Sequence, residues 1–167
     1  MDTRELEGNA VAAFAIHVLR GIGQVVFQNN PVSGAIILGA LFFNSWIYGA
    51  ICLLGAVVST LTARLLEADK GLIADGLFGF NGALVGLALV AFTSANFRTG
   101  AVPSFPMFVY ILFAAAMTSV VFSAIGALLQ PHKVAALTAP FVLVGWLFLF
   151  AVLKFANIEA GPLAKPV

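Results

Sequence analysis

This sequence predicts an all-α integral membrane protein with five transmembrane helices and one re-entrant half-helix, forming a single membrane domain over residues 1–167. Three observations predict it. Hydrophobic residues make up 62% of the chain and charged residues 9%, where ordinary soluble domains carry roughly 25% charged residues. Mean hydropathy is +1.07. Charged and turn residues cut the chain into apolar runs of helical length. A globule of this composition would lack the polar side chains needed to cover its surface, so the solvent for most of the chain is the lipid bilayer.

The elements follow from those cuts. Residues 10–28 read as a moderately apolar helix carrying His17 and Arg20. The arginine interrupts the apolar run, which suits a re-entrant segment better than a spanning one. Asn29-Asn30-Pro31 ends it, because proline disfavours helix at the residue before it. A half-helix stopping there would leave carbonyls unpaired. Beside a polar passage those carbonyls would accept hydrogen bonds; in lipid they would be prohibitive.

Residues 33–43 are apolar, and Asn44-Ser45 is a weak break. Residues 46–66 form the next span, closed by Arg64, Glu67, Asp69 and Lys70. Then comes an aromatic-glycine run, Phe78-Gly79-Phe80-Asn81-Gly82, opening an apolar span over 81–97 that Arg98 closes. Aromatic faces and glycines suit the wall of a narrow passage, and one amide side chain can satisfy backbone at a helix start. Residues 107–129 follow Pro103 and Pro106 and end at Gln130-Pro131-His132-Lys133. Residues 134–155 make the last span, with Pro140 inside it and Lys154 at its end. Crossing the hydrocarbon takes about 20 residues at about 1.5 Å each. Spans 46–66, 107–129 and 134–155 meet that length; 31–43 and 81–97 are shorter, as helices that stop at a pore would be.

Several classes are set aside. Net charge is +1, so there is no electrostatic footprint for nucleic acid. The single cysteine, Cys52, sits in an apolar run and reads as packing. The first eight residues are mixed in charge, no small-residue cleavage site follows a short apolar core, and the first membrane helices are expected to act as uncleaved targeting signals. His17 and His132 have no ligand partner at metal spacing, so no metal or cofactor is expected. Without a nucleophile–base pair, paired carboxylates or a phosphate loop, the chain does not read as an enzyme. No coupling carboxylate falls inside a span, which favours a passive route over a pump.

Four segments then resemble one family. The run from Leu19 to Gly34, LRGIGQVVFQNNPVSG, is similar to the opening of the urea transporter family. So are Ser59-Thr60-Leu61-Thr62-Ala63 and the run from Gly76 to Gly86, GLFGFNGALVG. Thr138-Ala139-Pro140-Phe141 stands where the family carries T-x-P-F. The matches come in family order over nearly the whole chain. Two departures are visible. Val134-Ala135 stands where the family usually has Leu-Pro, and only one copy each of N-P-x-S-G and T-x-P-F is present.

The resemblance implies one half of an inverted-repeat urea channel fold, matching the first of two homologous halves of opposite topology. It implies a multi-pass protein of the bacterial inner membrane, with urea as permeant. A second half, from the same chain type or another polypeptide, would complete the pore. The family's trimeric assembly implies a homo-oligomer with a pore in each complete protomer. Phe27 and Phe80 resemble the slot-forming phenylalanines, while Val25, Leu84 and Thr138 match positions lining the middle of the pore. Gln24, with the carbonyls at the end of the first helix, would supply acceptors.

Structural readings stand beside these. Phe27 and Phe80 are two of 16 phenylalanines, any of which could be packing or face lipid. Gln24 is a pore acceptor or helix–helix glue. Thr138 lines the pore or bonds its own helix backbone. Gly79 and Gly82 read as sites of close helix packing. For the whole chain, the alternatives to a urea channel are a non-conducting half-subunit or fragment, and a channel for another small amide.

Overall fold

The computed structural model describes residues 9–93, 102–155, 158 and 161. Its elements are α1 (Ala10–Gln24), α2 (Pro31–Asn44), α3 (Trp46–Leu65), a single turn α4 (Lys70–Ala74), α5 (Gly79–Thr93), α6 (Phe105–Leu129), a 3-10 turn (Gln130–His132) and α7 (Ala139–Phe155). The expected closure of the third span at Arg98 lies outside the described residues, as do the first eight residues.

Among the described residues, two helical stretches are long and apolar enough to cross a membrane, Trp46–Leu65 and Phe105–His132. Four apolar helices are shorter: α1 and α5 at 15 residues, α2 at 14 and α7 at 17. The sequence had suggested a last span over 134–155; the helix instead begins at Ala139. The cause is local. Leu137 takes a left-handed φ of 45°, which no continuous right-handed helix accommodates. Pro140 then falls in the first turn of α7, where a missing N–H costs nothing.

The first helix also stops earlier than expected. It ends at Gln24, and the turn beyond it satisfies most of its end internally. Val25 N donates to the Ile22 carbonyl, Val26 and Gln28 N to that of Gly23, and Phe27 N to that of Gln24. Few carbonyls of α1 are therefore left for another molecule, which corrects the picture of an open half-helix end at 28–31. Asn30 then caps α2, its side chain accepting the Val32 N–H at 2.8 Å, with Pro31 in the first turn.

Helix α5 is the centre of the bundle, packed against α1, α3, α6 and α7. It is apolar on every side, as a helix surrounded by others must be, and ten of its 15 residues are buried. Glycines let the pairs close. A Cβ on Gly55 or Gly82 would strike the other's carbonyl oxygen, so α3 and α5 meet backbone to backbone. A Cβ on Gly34 would strike the Leu19 carbonyl, which brings α2 equally close to α1. The main core joins Ile47 and Ile51 of α3, Val85 and Leu89 of α5, Ile111 of α6 and Val144 of α7. Cys52 packs with Val18, Ile22, Ala56 and Ala83. On α7, Leu143, Trp146, Leu147 and Phe150 are exposed. Their spacing makes one apolar stripe on a helix face, a surface suited to lipid or protein rather than water.

Candidate pore site

The resembling segments converge where the end of α1 meets the start of α5. Hydrogen bonds from three side chains tie the loop before α5 to α1 and the turn that follows it. Gln24 Nε2 donates to the Asp75 carbonyl at 2.8 Å, Asn29 Nδ2 to Asp75 Oδ1 at 2.8 Å, and Arg20 Nη1 to the Ala74 carbonyl at 3.1 Å. Gly21 permits the approach, since a Cβ there would lie 3.0 Å from the Gly79 Cα. Gly76 turns the chain with a φ of 76°.

A cavity of about 50 Å³ opens at this junction, lined by Gln24, Phe27, Leu77, Phe80, Phe122, Ala135 and Leu137. One water needs about 10–15 Å³ of such space, so the cavity suits a molecule of a few heavy atoms. Among the described residues, no charged side chain lines it. Phe27 stands in the turn after α1 with a φ of 59°, sparsely populated by a bulky residue, and it is 70% exposed. Phe80 is buried in the first turn of α5. The structure thus brings Gln24, Phe27 and Phe80 onto one cavity. Val25 and Leu84 pack into the apolar cluster that holds Phe80, with Phe78, Ile73 and Phe122.

Thr138 is half-buried beside Leu137, outside the residues that line the small cavity. Its carbonyl accepts the Val142 N–H at 3.1 Å and so starts α7. Gln24 ties α1 to the loop before α5 through its bond to the Asp75 carbonyl while also lining the cavity. Asn81 is the amide that satisfies a helix start. Fully buried, it donates from Nδ2 to the Leu137 carbonyl at 3.2 Å and accepts the Phe141 N–H at 3.0 Å.

Sequence reasoning missed the residues that hold this site from α6. Ser59 Oγ lies 2.8 Å from the Phe78 carbonyl, 3.1 Å from Thr118 Oγ1 and 2.8 Å from Ser119 Oγ. Ser119 Oγ reaches the Ser59 carbonyl at 2.7 Å, and Thr118 Oγ1 the Ala115 carbonyl at 2.7 Å. The Phe122 ring packs on Phe78 with centroids 4.7 Å apart and planes tilted by 58°. The available signal was the hydroxyl pair Thr118-Ser119 in an otherwise apolar span, since buried hydroxyls need partners.

Comparison with known proteins identifies the family. The sequence profile of the family described as Urea transporter matches residues 16–167. Urea transporter 1 of Rattus norvegicus is 38% identical over 160 residues, covering 94% of this chain and 40% of the relative. Urea transporter 1 of Ovis aries is 37% identical over 159 residues, covering 92% of this chain and 39% of the relative. The chain therefore spans about two-fifths of the length of these curated relatives. With the family profile matched over nearly all of its length, this chain belongs to the urea transporter family.

Proposed function

We propose that this chain forms one half of a membrane channel that passes urea down its concentration gradient. In this reading α1 is the re-entrant half-helix, and α2, α3, α5, α6 and α7 cross the bilayer. A second half, supplied by the same chain type or another polypeptide, closes the pore, and the complete units assemble as a trimer. One observation carries the reading. Gln24 and Phe27 at the end of the first helix and Phe80 of the central helix, far apart in sequence, line a single cavity of about 50 Å³ with no charged side chain among the described residues around it.

The chemistry suits urea. It is planar, neutral and rich in N–H donors. Stripping its water in an apolar passage costs several kcal/mol unless other groups replace the lost hydrogen bonds. Apolar rings at Phe27 and Phe80 would cover its faces, and a ring separation of roughly 7–8 Å would admit one flat molecule in contact with both. The Gln24 side-chain oxygen would accept along its edge. Val25, Leu84 and Thr138 would line the passage beyond. Ions are excluded because nothing in such a wall compensates a charge.

The test is urea efflux from proteoliposomes holding the assembled protein, with ionic current recorded alongside. Urea flux without current is expected. Absence of flux from protein shown to be paired would favour a non-conducting subunit, and equal flux of acetamide would favour a general amide channel.

A further inference from the structure

We propose that Phe122 is a selectivity-determining residue, a third aromatic wall that α6 places against the slot segment Phe78-Gly79-Phe80. The inference rests on the channel reading above and adds to it a residue that none of the resembling segments contains.

Three observations carry it. First, Phe122 is only 7% exposed, yet it borders open space on two sides. It lines the small cavity with Phe27 and Phe80, and also a groove of about 720 Å³ reaching Asp69, Gln130 and Lys133. Leu77, Phe122 and Ala135 are shared by both spaces and so stand between the wide one and the narrow one.

Second, its ring lies against Phe78, two residues from Phe80 with only Gly79 between them. A shift of the Phe122 ring is therefore passed to the slot segment within one short stretch of backbone.

Third, α6 grips the same segment a second time. Thr118 and Ser119 precede Phe122 by four and three residues and share its helix face. Through Ser59 they anchor the Phe78 carbonyl. Ser119 in turn bonds the Ser59 carbonyl, which fixes the residue that holds Phe78. Ring and hydroxyls together fix where the Phe80 wall stands relative to Phe27. Phe122 acts on the permeant as a wall, while Ser59, Thr118 and Ser119 act through Phe78 and are positioning residues.

The experiment measures the ratio of urea to 1,3-dimethylurea permeability in proteoliposomes at matched protein density. Wild type, Phe122→Ala, Phe122→Leu, Phe122→Tyr and Phe108→Ala are compared. A ratio is independent of how much protein is folded, so a purely structural loss leaves it unchanged. Phe122→Ala is expected to lower the ratio by about three- to tenfold, the size of one lost aromatic contact. Phe122→Leu should fall between that and wild type, and Phe122→Tyr should keep the wild-type ratio. An unchanged ratio in both Phe122→Ala and Phe122→Leu, with wild type conducting, would overturn the inference. No urea flux in wild type would instead sink the channel reading. The grip itself is read without flux, by hydrogen–deuterium exchange over residues 76–82. Ser119→Ala should speed exchange there by about tenfold, the effect of losing one buried hydrogen bond, and Phe108→Ala should not. Unaltered exchange in Ser119→Ala would overturn the grip from α6 whatever the flux.

Discussion

Asn81, fully buried on α5, accepts the Phe141 N–H at 3.0 Å and so fixes the start of α7 against the central helix. The same amide donates to the carbonyl of Leu137, the residue whose left-handed φ precedes α7. One side chain thus satisfies backbone groups on both sides of the helix start. It also sets the position of Thr138, which lies between them.

Removing that amide leaves a donor and an acceptor without their partner in an apolar setting. Asn81→Leu is expected to destabilise the fold by about 1–3 kcal/mol and to expose the Phe141 amide to exchange. Thermal unfolding in detergent, with exchange read at residues 137–142, checks this. Unchanged protection at Phe141 would mean that α7 starts without help from α5.

Glycine substitutions should divide by location. Gly55→Ala and Gly82→Ala force apart two touching backbones and are expected to cost about 1–3 kcal/mol or more. Gly39→Ala and Gly126→Ala meet nothing within 4 Å. They should be neutral or stabilise by up to about 1 kcal/mol through helix propensity. Equal destabilisation at all four positions would contradict the backbone contact between α3 and α5.

Much of this arrangement was legible in the sequence. Asn29-Asn30-Pro31 announced a break, an amide was expected to satisfy backbone at a helix start, and Gly79 and Gly82 were expected at close packing. Each signal is carried by the residue type at its own position, although the partner that Asn81 or Gly82 meets lies on another element. What was not legible depends on distance. Ser59 meets Thr118 and Ser119 across 59 and 60 positions, and periodicity within a span says nothing of which polar group it will face. The late start of α7 was hidden for a related reason. Residues 134–138 are apolar enough to read as helix; the left-handed turn at Leu137 that delays the helix to Ala139 is held by Asn81 from another element. Gln24 was left with two readings because one amide can serve both, and here it bonds Asp75 while lining the cavity.

Gln24 and Asn29 both bond Asp75, but only Gln24 lines the cavity. Gln24→Leu is expected to slow urea permeation by about tenfold, through loss of an acceptor and of the tie between α1 and the 75–78 loop. Asn29→Ala breaks an exposed bond and should change flux and stability little. Matching losses in the two variants would mean that Gln24 acts only by holding the loop.

Thr138→Val keeps the side-chain shape while removing a hydroxyl. If that hydroxyl meets the permeant beyond the slot, urea permeation slows by about tenfold or more, corresponding to about 1–3 kcal/mol for a polar group left unpaired. Thermal stability should stay close to wild type. Normal flux would remove Thr138 from the pore and leave it as the residue that starts α7.

The most direct test of the central claim is urea permeability of the assembled protein in proteoliposomes, compared with Phe80→Ala and Phe108→Ala at matched protein density. The wild-type protein is expected to carry urea without ionic current. Phe80→Ala, which removes one face of the slot, should lose discrimination between urea and larger amides. Phe108→Ala, remote from the cavity, should keep it. Urea flux whose selectivity responds equally to Phe80→Ala and Phe108→Ala, or no urea flux at all, would contradict the claim that the cavity beside Phe27 and Phe80 is part of a urea pathway.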